Sequence, residues 1–296
     1  MSKDDNGLLD WSLPVMRAGY AGRGLTYLVV AGISLWAIFR GGQAQGTESA
    51  MAVMADNAFG RAVVIAAAIG LIAYAIWRLL DAAFDLEAYG TEAKGIVARL
   101  GMVVTGLVHA ALGIGVASTI SGGSESGGSG SSGAEGGSAG GGGVAGAVQT
   151  VLEWPGGRWI VMIAGLLTLG AAVYYAIKAY KASYREHLFA NEATRRWNGA
   201  LRAGVAAQAV LVAVAGGMLV LAGFQADSSE AGGIGEVFDW LQSQPFGQVI
   251  VVAVCVGLLG FALFCFVNAA YRIIPVLHDG DGPQTLADSM RQARPA

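Results

Sequence analysis

Six long apolar stretches dominate this chain. They cover about residues 18–39, 62–84, 100–120, 159–182, 203–224 and 249–272. A helix needs about 20 apolar residues to cross the hydrocarbon core of a bilayer, and each stretch is long enough. Lipid offers no partners to backbone N–H and C=O groups, so each stretch is expected to be an α-helix. The chain is therefore predicted to be an all-α, polytopic membrane protein with six transmembrane helices.

The composition agrees with a membrane location. Hydrophobic residues make up 54% of the chain and charged residues 13%, and the net charge is −3. No run of Lys and Arg would follow a phosphate backbone, so nucleic acid is not an expected partner. The first stretch is expected to be retained as a span, because its flank MSKDDNGLLD is acidic, unlike a signal peptide.

The distribution of Lys and Arg predicts the orientation. If the N-terminus is cytoplasmic, fifteen of the 18 Lys and Arg residues fall on or near the inside. The outside residues are Arg40, Arg61 and Arg158. The expected location is the bacterial plasma (inner) membrane, with both termini in the cytoplasm and the lipid bilayer as partner.

Three tandem repeats of two spans each are visible in the sequence. The odd spans open with RAGYAGRGLTYLVVAG, RLGMVVTGLVHAALGI and RAGVAAQAVLVAVAGG, and the even spans open at NAFGR, PGGRW and QPFGQ. Before each even span lies a short amphipathic stretch, predicted to be an interfacial helix at the outer surface. Parallel repeats of this kind predict a pseudo-threefold bundle about the membrane normal, with an open arc as the alternative.

These repeats divide the chain into five parts. The parts are an N-terminal cytoplasmic tail at 1–15, repeat 1 at 16–94, repeat 2 at 95–190, repeat 3 at 191–275 and a C-terminal cytoplasmic tail at 276–296. Repeat 2 contains SGGSESGGSGSSGAEGGSAGGGGVAGA at 121–147, which is expected to be a flexible outer loop because it has little apolar area to bury.

The motifs resemble those of a bacterial integral membrane family catalogued as domain of unknown function 1206. Its members are similar in having three two-span repeats, with AGYAxRGxxY in a first span and QPFG before a second. Here residues 18–27 match the first motif and residues 244–247 match the second. The third repeat departs from the pattern with Val205 and Gln208. The resemblance implies a fold and a membrane location, and it implies no established activity.

Polar residues inside the spans are the candidate functional positions, because they are costly to bury. Arg23 is expected to reach back to the cytoplasmic headgroups, and the alternative is a buried pair with a carboxylate. Tyr27 and His109 align near the bilayer centre. His109 is expected to be neutral and bonded to a neighbouring helix, with proton transfer or ligand binding as the alternative.

A second aligned set holds Asp81, Lys178 and Asn268, twenty-one residues after the glycine that opens each even span. Interfacial exposure is the simpler expectation, and an internal polar ring is the alternative. In such a ring Asp81 and Lys178 would form an ion pair. Arg78 and Arg23 are the other candidate partners of Asp81.

No catalytic, cofactor-binding or metal-binding set is found. Cys255 and Cys265 are too far apart for a disulfide and lie away from every His. The predicted function is therefore a non-enzymatic scaffold, or a bundle that binds lipid, a membrane-protein partner or a second copy of itself. The alternative is a permease or channel for a small solute or ion, and a membrane enzyme is the third hypothesis.

Overall fold

The computed structural model describes residues 11–87, 89–121, 141–273 and 285–292. Within these ranges the regular structure is helical, apart from two isolated bridges that join Leu188 to Arg272 and Phe189 to Thr285. The predicted all-α class is confirmed. Parts of both predicted tails, and residues 122–140 of the predicted loop, lie outside the described residues.

All six predicted spans are present as helices that are long and apolar enough to cross a membrane. They are α1 (Ser12–Phe39), α3 (Ala58–Phe84), α4 (Ala93–Ser121), α6 (Gly157–Lys181), α8 (Asn198–Gln225) and α10 (Gly247–Tyr271). Each helix begins before the apolar stretch that predicted it. The reason is that polar residues continue a helix readily outside the hydrocarbon; at α3, for example, the Asn57 side chain accepts a hydrogen bond from the Gly60 N–H at 2.9 Å.

A short helix precedes each even span, as predicted. The three are α2 (Thr47–Met54), α5 (Gly141–Leu152) and α9 (Ile234–Gln242). The start of α5 corrects the predicted flexible loop, because residues 141–147 are helical. Val144, Val148 and Val151 recur at helical spacing and contribute to a small apolar cluster with Val161 of α6. Two further short α-helices are α7 (Glu192–Arg196) and α11 (Leu286–Gln292), and short 3-10 helices lie at Ser183–His187 and Ser228–Glu230.

The transmembrane helices pack in the spatial order α6–α8–α10–α1–α3–α4. Successive repeats are joined in the same way three times, by α3 with α4, α6 with α8, and α10 with α1. Within the repeats, α1 packs on α3 and α8 packs on α10. Among the described residues, α4 and α6 form no packed interface. The bundle is thus a threefold ring with one gap, the α4/α6 seam, in the middle of repeat 2.

Glycines set the close approach within repeats 1 and 3. A Cβ on Gly19 would lie 2.6 Å from Tyr74 Cα, and Gly22 faces Gly70 backbone to backbone. The aligned Gly204 meets the backbone of Phe261 in repeat 3. Only residues without a Cβ permit contacts this short. The aligned Gly101 of repeat 2 meets nothing within 4 Å, which marks the seam.

One arginine joins repeat 2 to repeat 1, and the aligned arginine joins repeat 3 to repeat 2. Arg99 Nε donates to the Ala82 carbonyl at 2.7 Å, and the aligned Arg202 Nε donates to the Ala179 carbonyl at 2.9 Å. These carbonyls belong to the last turns of α3 and α6, which lack intrahelical partners. The aligned Arg that opens the second and third repeats therefore has a structural role at the helix ends.

The end of the bundle at which α1 starts and α10 finishes is here named the terminal end. The segment after α6 crosses this end and pairs with the chain that follows α10. The Phe189 N–H donates to the Tyr271 carbonyl, and the Ile273 N–H donates to the His187 carbonyl, both at 2.9 Å. Leu286 of α11 is buried against this segment. The terminal end is thus covered by chain, whereas no segment within the described ranges covers the seam.

Candidate functional site in the bundle interior

Arg23 lies at the centre of the bundle with 4% of its surface exposed. Its Nη1 donates to the Tyr74 hydroxyl at 2.9 Å, and its Nη2 lies 3.5 Å from the Tyr175 hydroxyl. Its guanidinium carbon lies 5.0 Å from the ring centroids of both Tyr74 and Phe261. Aromatic faces and hydroxyl groups therefore replace water around the cation.

Both sequence expectations for Arg23 are wrong. The side chain does not reach the headgroups, because it is enclosed by rings from α3, α6 and α10. No described carboxylate lies within ion-pairing distance of it. Its Nε is buried without a hydrogen-bond partner.

Tyr27 and the residue of the third repeat that aligns with Arg23 also face the interior. Gln208 aligns with Arg23, is buried, and donates through Nε2 to the Tyr27 hydroxyl at 3.1 Å. The Tyr27 ring packs edge-on against Phe261 at 5.0 Å between centroids. This face of α1 and of α8 is therefore internal, and the third repeat supplies an amide where the first supplies a cation.

His109 is buried beside this cluster. Its Nδ1 lies 2.8 Å from the Thr105 carbonyl of its own helix, and a carbonyl only accepts, so Nδ1 carries the proton. Its ring lies 4.6 Å from the Tyr74 ring between centroids. The hydrogen bond is made within α4 and not to a neighbouring helix, which corrects the expectation in that detail.

A second polar cluster fills the interior at the terminal end. Arg78 Nη1 lies 3.1 Å from Asp81 Oδ2 and 3.5 Å from Glu87 Oε1. Arg272 also pairs with Glu87 Oε1, and Tyr89 donates to Glu87 Oε2 at 3.1 Å. Two cations thus face two carboxylates, so this cluster is internally compensated.

The three residues of the aligned set, Asp81, Lys178 and Asn268, lie in different surroundings. Asp81 and Asn268 are fully buried, so the expectation of interfacial exposure is wrong for them. Asn268 Oδ1 accepts from Arg272 Nη1 at 2.7 Å, which links it through Glu87 and Arg78 to Asp81. Asp81 and Asn268 therefore belong to one internal network. The arginines that join them through Glu87 are Arg78 and Arg272, which were not part of the aligned set.

The predicted ion pair between Asp81 and Lys178 is not formed. The carboxylate of Asp81 accepts from Arg78 and, at 3.1 Å, from the Glu87 N–H. Arg78 was the alternative partner, and it prevails because the two residues lie one helical turn apart and share a buried environment. Lys178 is half-buried, with its Nζ 5.5 Å from the Tyr174 ring centroid and 5.9 Å from that of Phe264. No described carboxylate pairs with it.

Two titratable groups beside the spans have displaced pKa values. Burial alone would raise the pKa of Glu87, but the Arg272 and Arg78 charges outweigh it and hold that pKa well below the usual range. Burial, followed by the Arg272 charge, lowers the pKa of His187 to about 4. Near neutral pH, Glu87 is therefore ionised and His187 is uncharged.

Sequence reasoning missed Glu87, Tyr74, Tyr175 and the inward role of Arg272. A signal for the tyrosines was available. Residues fourteen and eighteen positions after the aligned glycines lie on the same helix face as Asp81, Lys178 and Asn268. They are Tyr74, Ala171 and Phe261 in the first set and Arg78, Tyr175 and Cys265 in the second. Glu87 lies in a loop, where no helical periodicity identifies it.

The described residues contain no group of three or more His, Cys, Asp or Glu that could hold a metal ion. Cys255 and Cys265 are both free and buried. The interior offers cations, hydroxyl groups, amides and aromatic faces. Such groups bind anions and polar headgroups, and they contain no ordered set of nucleophile, base and orienting group.

Fold and interior together define a six-helix membrane protein of three two-span repeats around a polar, aromatic core. The chain belongs to the family described as Domain of Unknown Function (DUF1206), whose matches cover residues 18–85, 100–182 and 203–272, one segment for each repeat. It is similar to "Uncharacterized protein YxxB" of Bacillus subtilis (strain 168), with 22% identity over 276 residues, 92% of this chain and 95% of the relative. No solved structure matches it.

Proposed function

We propose that the protein is a non-enzymatic binding bundle of the bacterial plasma membrane, not a permanently open pore. The observation that carries this proposal is the packing of its polar interior. Arg23, Gln208, Arg78 and Asn268 each donate a hydrogen bond to another side chain or to the backbone. A water-filled channel would instead need such groups to face a lumen.

A small-solute permease is the second candidate. It is favoured by the burial of polar residues at equivalent positions of different repeats. These are Arg23 with Gln208, and Asp81 with Asn268. Transport would require the terminal-end network around Glu87 to open, because that network joins α3 to the chain end of α10. An enzyme has less support, since its one candidate, His109, already uses Nδ1 on a backbone carbonyl.

Flux through proteoliposomes tests the proposal. We expect proton, potassium, chloride and glycerol fluxes through vesicles containing the purified protein to equal those of protein-free vesicles. Vesicles with a channel-forming peptide provide the positive control. A flux above background that falls in the Lys178→Gln variant, while Lys181→Gln retains it, would favour the permease and end the proposal.

We also propose that both termini are cytoplasmic, because the Lys and Arg residues are concentrated on that side. A reporter that is active only in the cytoplasm should be active when it is fused after residue 190. The same reporter should be inactive when it is fused after residue 130. The opposite pattern would reverse the orientation. In either orientation, the lipid-facing surface can bind a membrane-protein partner or a second copy of the chain.

A further inference from the structure

Repeat 2 exposes residues at the seam whose counterparts are buried in the other repeats. Val108 is 51% exposed, whereas the aligned Thr26 and Leu211 are 5% and 4% exposed. Tyr174 is 53% exposed, whereas the aligned Trp77 and Phe264 are 0% and 4% exposed. Val108 lies on α4 and Tyr174 on α6. The seam therefore leaves exposed, on α4 and on α6, positions that are buried in the other two repeats.

The amino-acid sequence explains why this seam is open. In repeat 1 the close contact is made by Gly22 and Gly70, and in repeat 3 Ala207 meets Gly257. The aligned residues of repeat 2 are Val104 and Leu167, and both are exposed. Two branched side chains cannot occupy the space between backbones in contact. The opening is thus encoded by the two substitutions.

A third difference between the repeats makes room behind the seam. Tyr74 and Phe261, which occupy one aligned position, each place a ring beside Arg23. The third residue at that position is Ala171 of α6, which has no ring. The inner side of the seam therefore lacks one of the three aromatic side chains that the symmetry of the bundle would supply.

Two cations that form no ion pair with a described carboxylate lie close to aromatic residues of α6. Lys178 is directed toward Tyr174, a seam residue, and Arg23 is adjacent to Tyr175 of the same helix. Arg23 lies against the Phe261 ring and Lys178 lies near the Phe264 ring, and these two rings stack with their centroids 5.6 Å apart. Neither cation pairs with a described carboxylate, and Arg23 Nε is a buried donor without a partner. An anion beside Lys178 would give that cation a direct ion-pair partner.

We propose that the α4/α6 seam binds one anionic phospholipid from the surrounding leaflet. Its phosphate group lies at Lys178, and an acyl chain lies against Val104, Val108 and Leu167. This inference deepens the proposed binding function by naming the class of ligand and the place of entry. It does not require that the lipid be transported.

The dimensions and the charge favour a lipid over other occupants. Lys178 lies three residues before the end of α6, about 5 Å from the helix end, which is headgroup depth. From Lys178 to Leu167 the seam runs about 16 Å along the helix, close to the half-thickness of about 15 Å of a hydrocarbon core. A free anion would leave the apolar part of the seam unfilled. A helix from a second copy would leave the cations unpaired unless it brought an acidic residue.

Native mass spectrometry of the purified full chain tests the proposal. Dioleoylphosphatidylglycerol should be retained as a one-to-one complex, and dioleoylphosphatidylcholine should be retained less. Lys178→Gln should weaken retention of the phosphatidylglycerol about fivefold, the factor for ~1 kcal/mol per basic residue near the membrane surface. Lys181→Gln, which removes an exposed cation from the same helix end, is the matched control and should change retention little.

A steric variant tests the seam itself. Ala171→Phe restores the missing ring and should abolish the complex. Leu166→Phe is its control, because position 166 and the aligned Ile69 and Val256 are all exposed. If Ala171→Phe does not fold, the proposal is tested by the Lys178→Gln variant and by the comparison of the two phospholipids.

Three outcomes overturn the proposal. Equal retention of both lipids, or equal losses in variants and controls, means ordinary surrounding lipid. Displacement of the complex by inorganic phosphate means a free-anion site. A dimer that Ala171→Phe dissociates means that a second copy fills the seam. None of these results depends on the flux measurement, so the binding function and its ligand are tested separately.

Discussion

Glu87→Gln is expected to destabilise the protein by about 3–5 kcal/mol, because it removes the shared carboxylate of a buried charge network. The Glu87 side chain is 3% exposed and faces Arg272 and Arg78. Glutamine has nearly the same shape, so packing is retained while two buried cations lose their common counter-ion. The change in unfolding temperature in one detergent measures the effect.

A double-mutant cycle separates charge from packing. Arg272→Met should also destabilise, and the double variant should recover part of the loss, since it no longer contains a buried cation at that position. The control is Asp288→Asn, which breaks an exposed pair with Arg291 and should change stability by less than about 0.5 kcal/mol. Strict additivity of the two buried changes would contradict a direct interaction between Glu87 and Arg272.

The pH dependence of the Glu87 effect has a definite sign. Because the pKa of Glu87 is depressed in the folded protein, its stabilising contribution is present above the ordinary pKa of about 4.3. It is lost as pH falls below that value. The difference between wild type and Glu87→Gln should thus shrink as pH falls below about 4.

The fold was predictable from the sequence because lipid restricts the choice of structure so strongly. Six apolar stretches imply six helices, and the recurring Arg and Gly positions identify three repeats. The ends were less predictable. Residues 141–147 looked like flexible linker, yet they are helical because Val144 and Val148 pack against neighbouring apolar residues. Short apolar contacts of this kind depend on tertiary structure.

The interior was predictable by position but not by partner. Aligned positions correctly pointed to Asp81, Asn268 and Arg23 as unusual residues. Their partners could not be inferred, because Glu87 lies in a loop and Tyr175 reaches Arg23 from a helix 152 residues away in sequence. A guanidinium group can donate to hydroxyl groups and stack on aromatic rings as well as pair with carboxylates. The charge of Arg23 alone therefore did not identify its partners.

The break in symmetry was present in the sequence as well. Val104 and Leu167 stand where repeat 1 has two glycines and repeat 3 has Ala207 and Gly257. Small residues at a crossing allow helices to approach, and branched residues keep them apart. Comparison of the repeats with one another, position by position, therefore predicts which pair of helices separates.

The second large effect concerns the glycines that close repeats 1 and 3. Gly19→Ala and Gly204→Ala should each destabilise by about 1–3 kcal/mol, because the new methyl group would overlap the backbone of the facing helix. Gly101→Ala, at the aligned position of repeat 2, should be neutral or stabilise by up to about 1 kcal/mol, since alanine is the better helix former. The third variant is the matched control for the other two.

The unfolding temperatures of these three variants and the wild type, measured in one detergent, test the central claim that the ring is closed in two repeats and open in the third. The structure predicts lower temperatures for Gly19→Ala and Gly204→Ala and an unchanged or higher temperature for Gly101→Ala. An equal loss in all three variants would mean that α4 and α6 pack as closely as the other pairs, which would contradict the open seam.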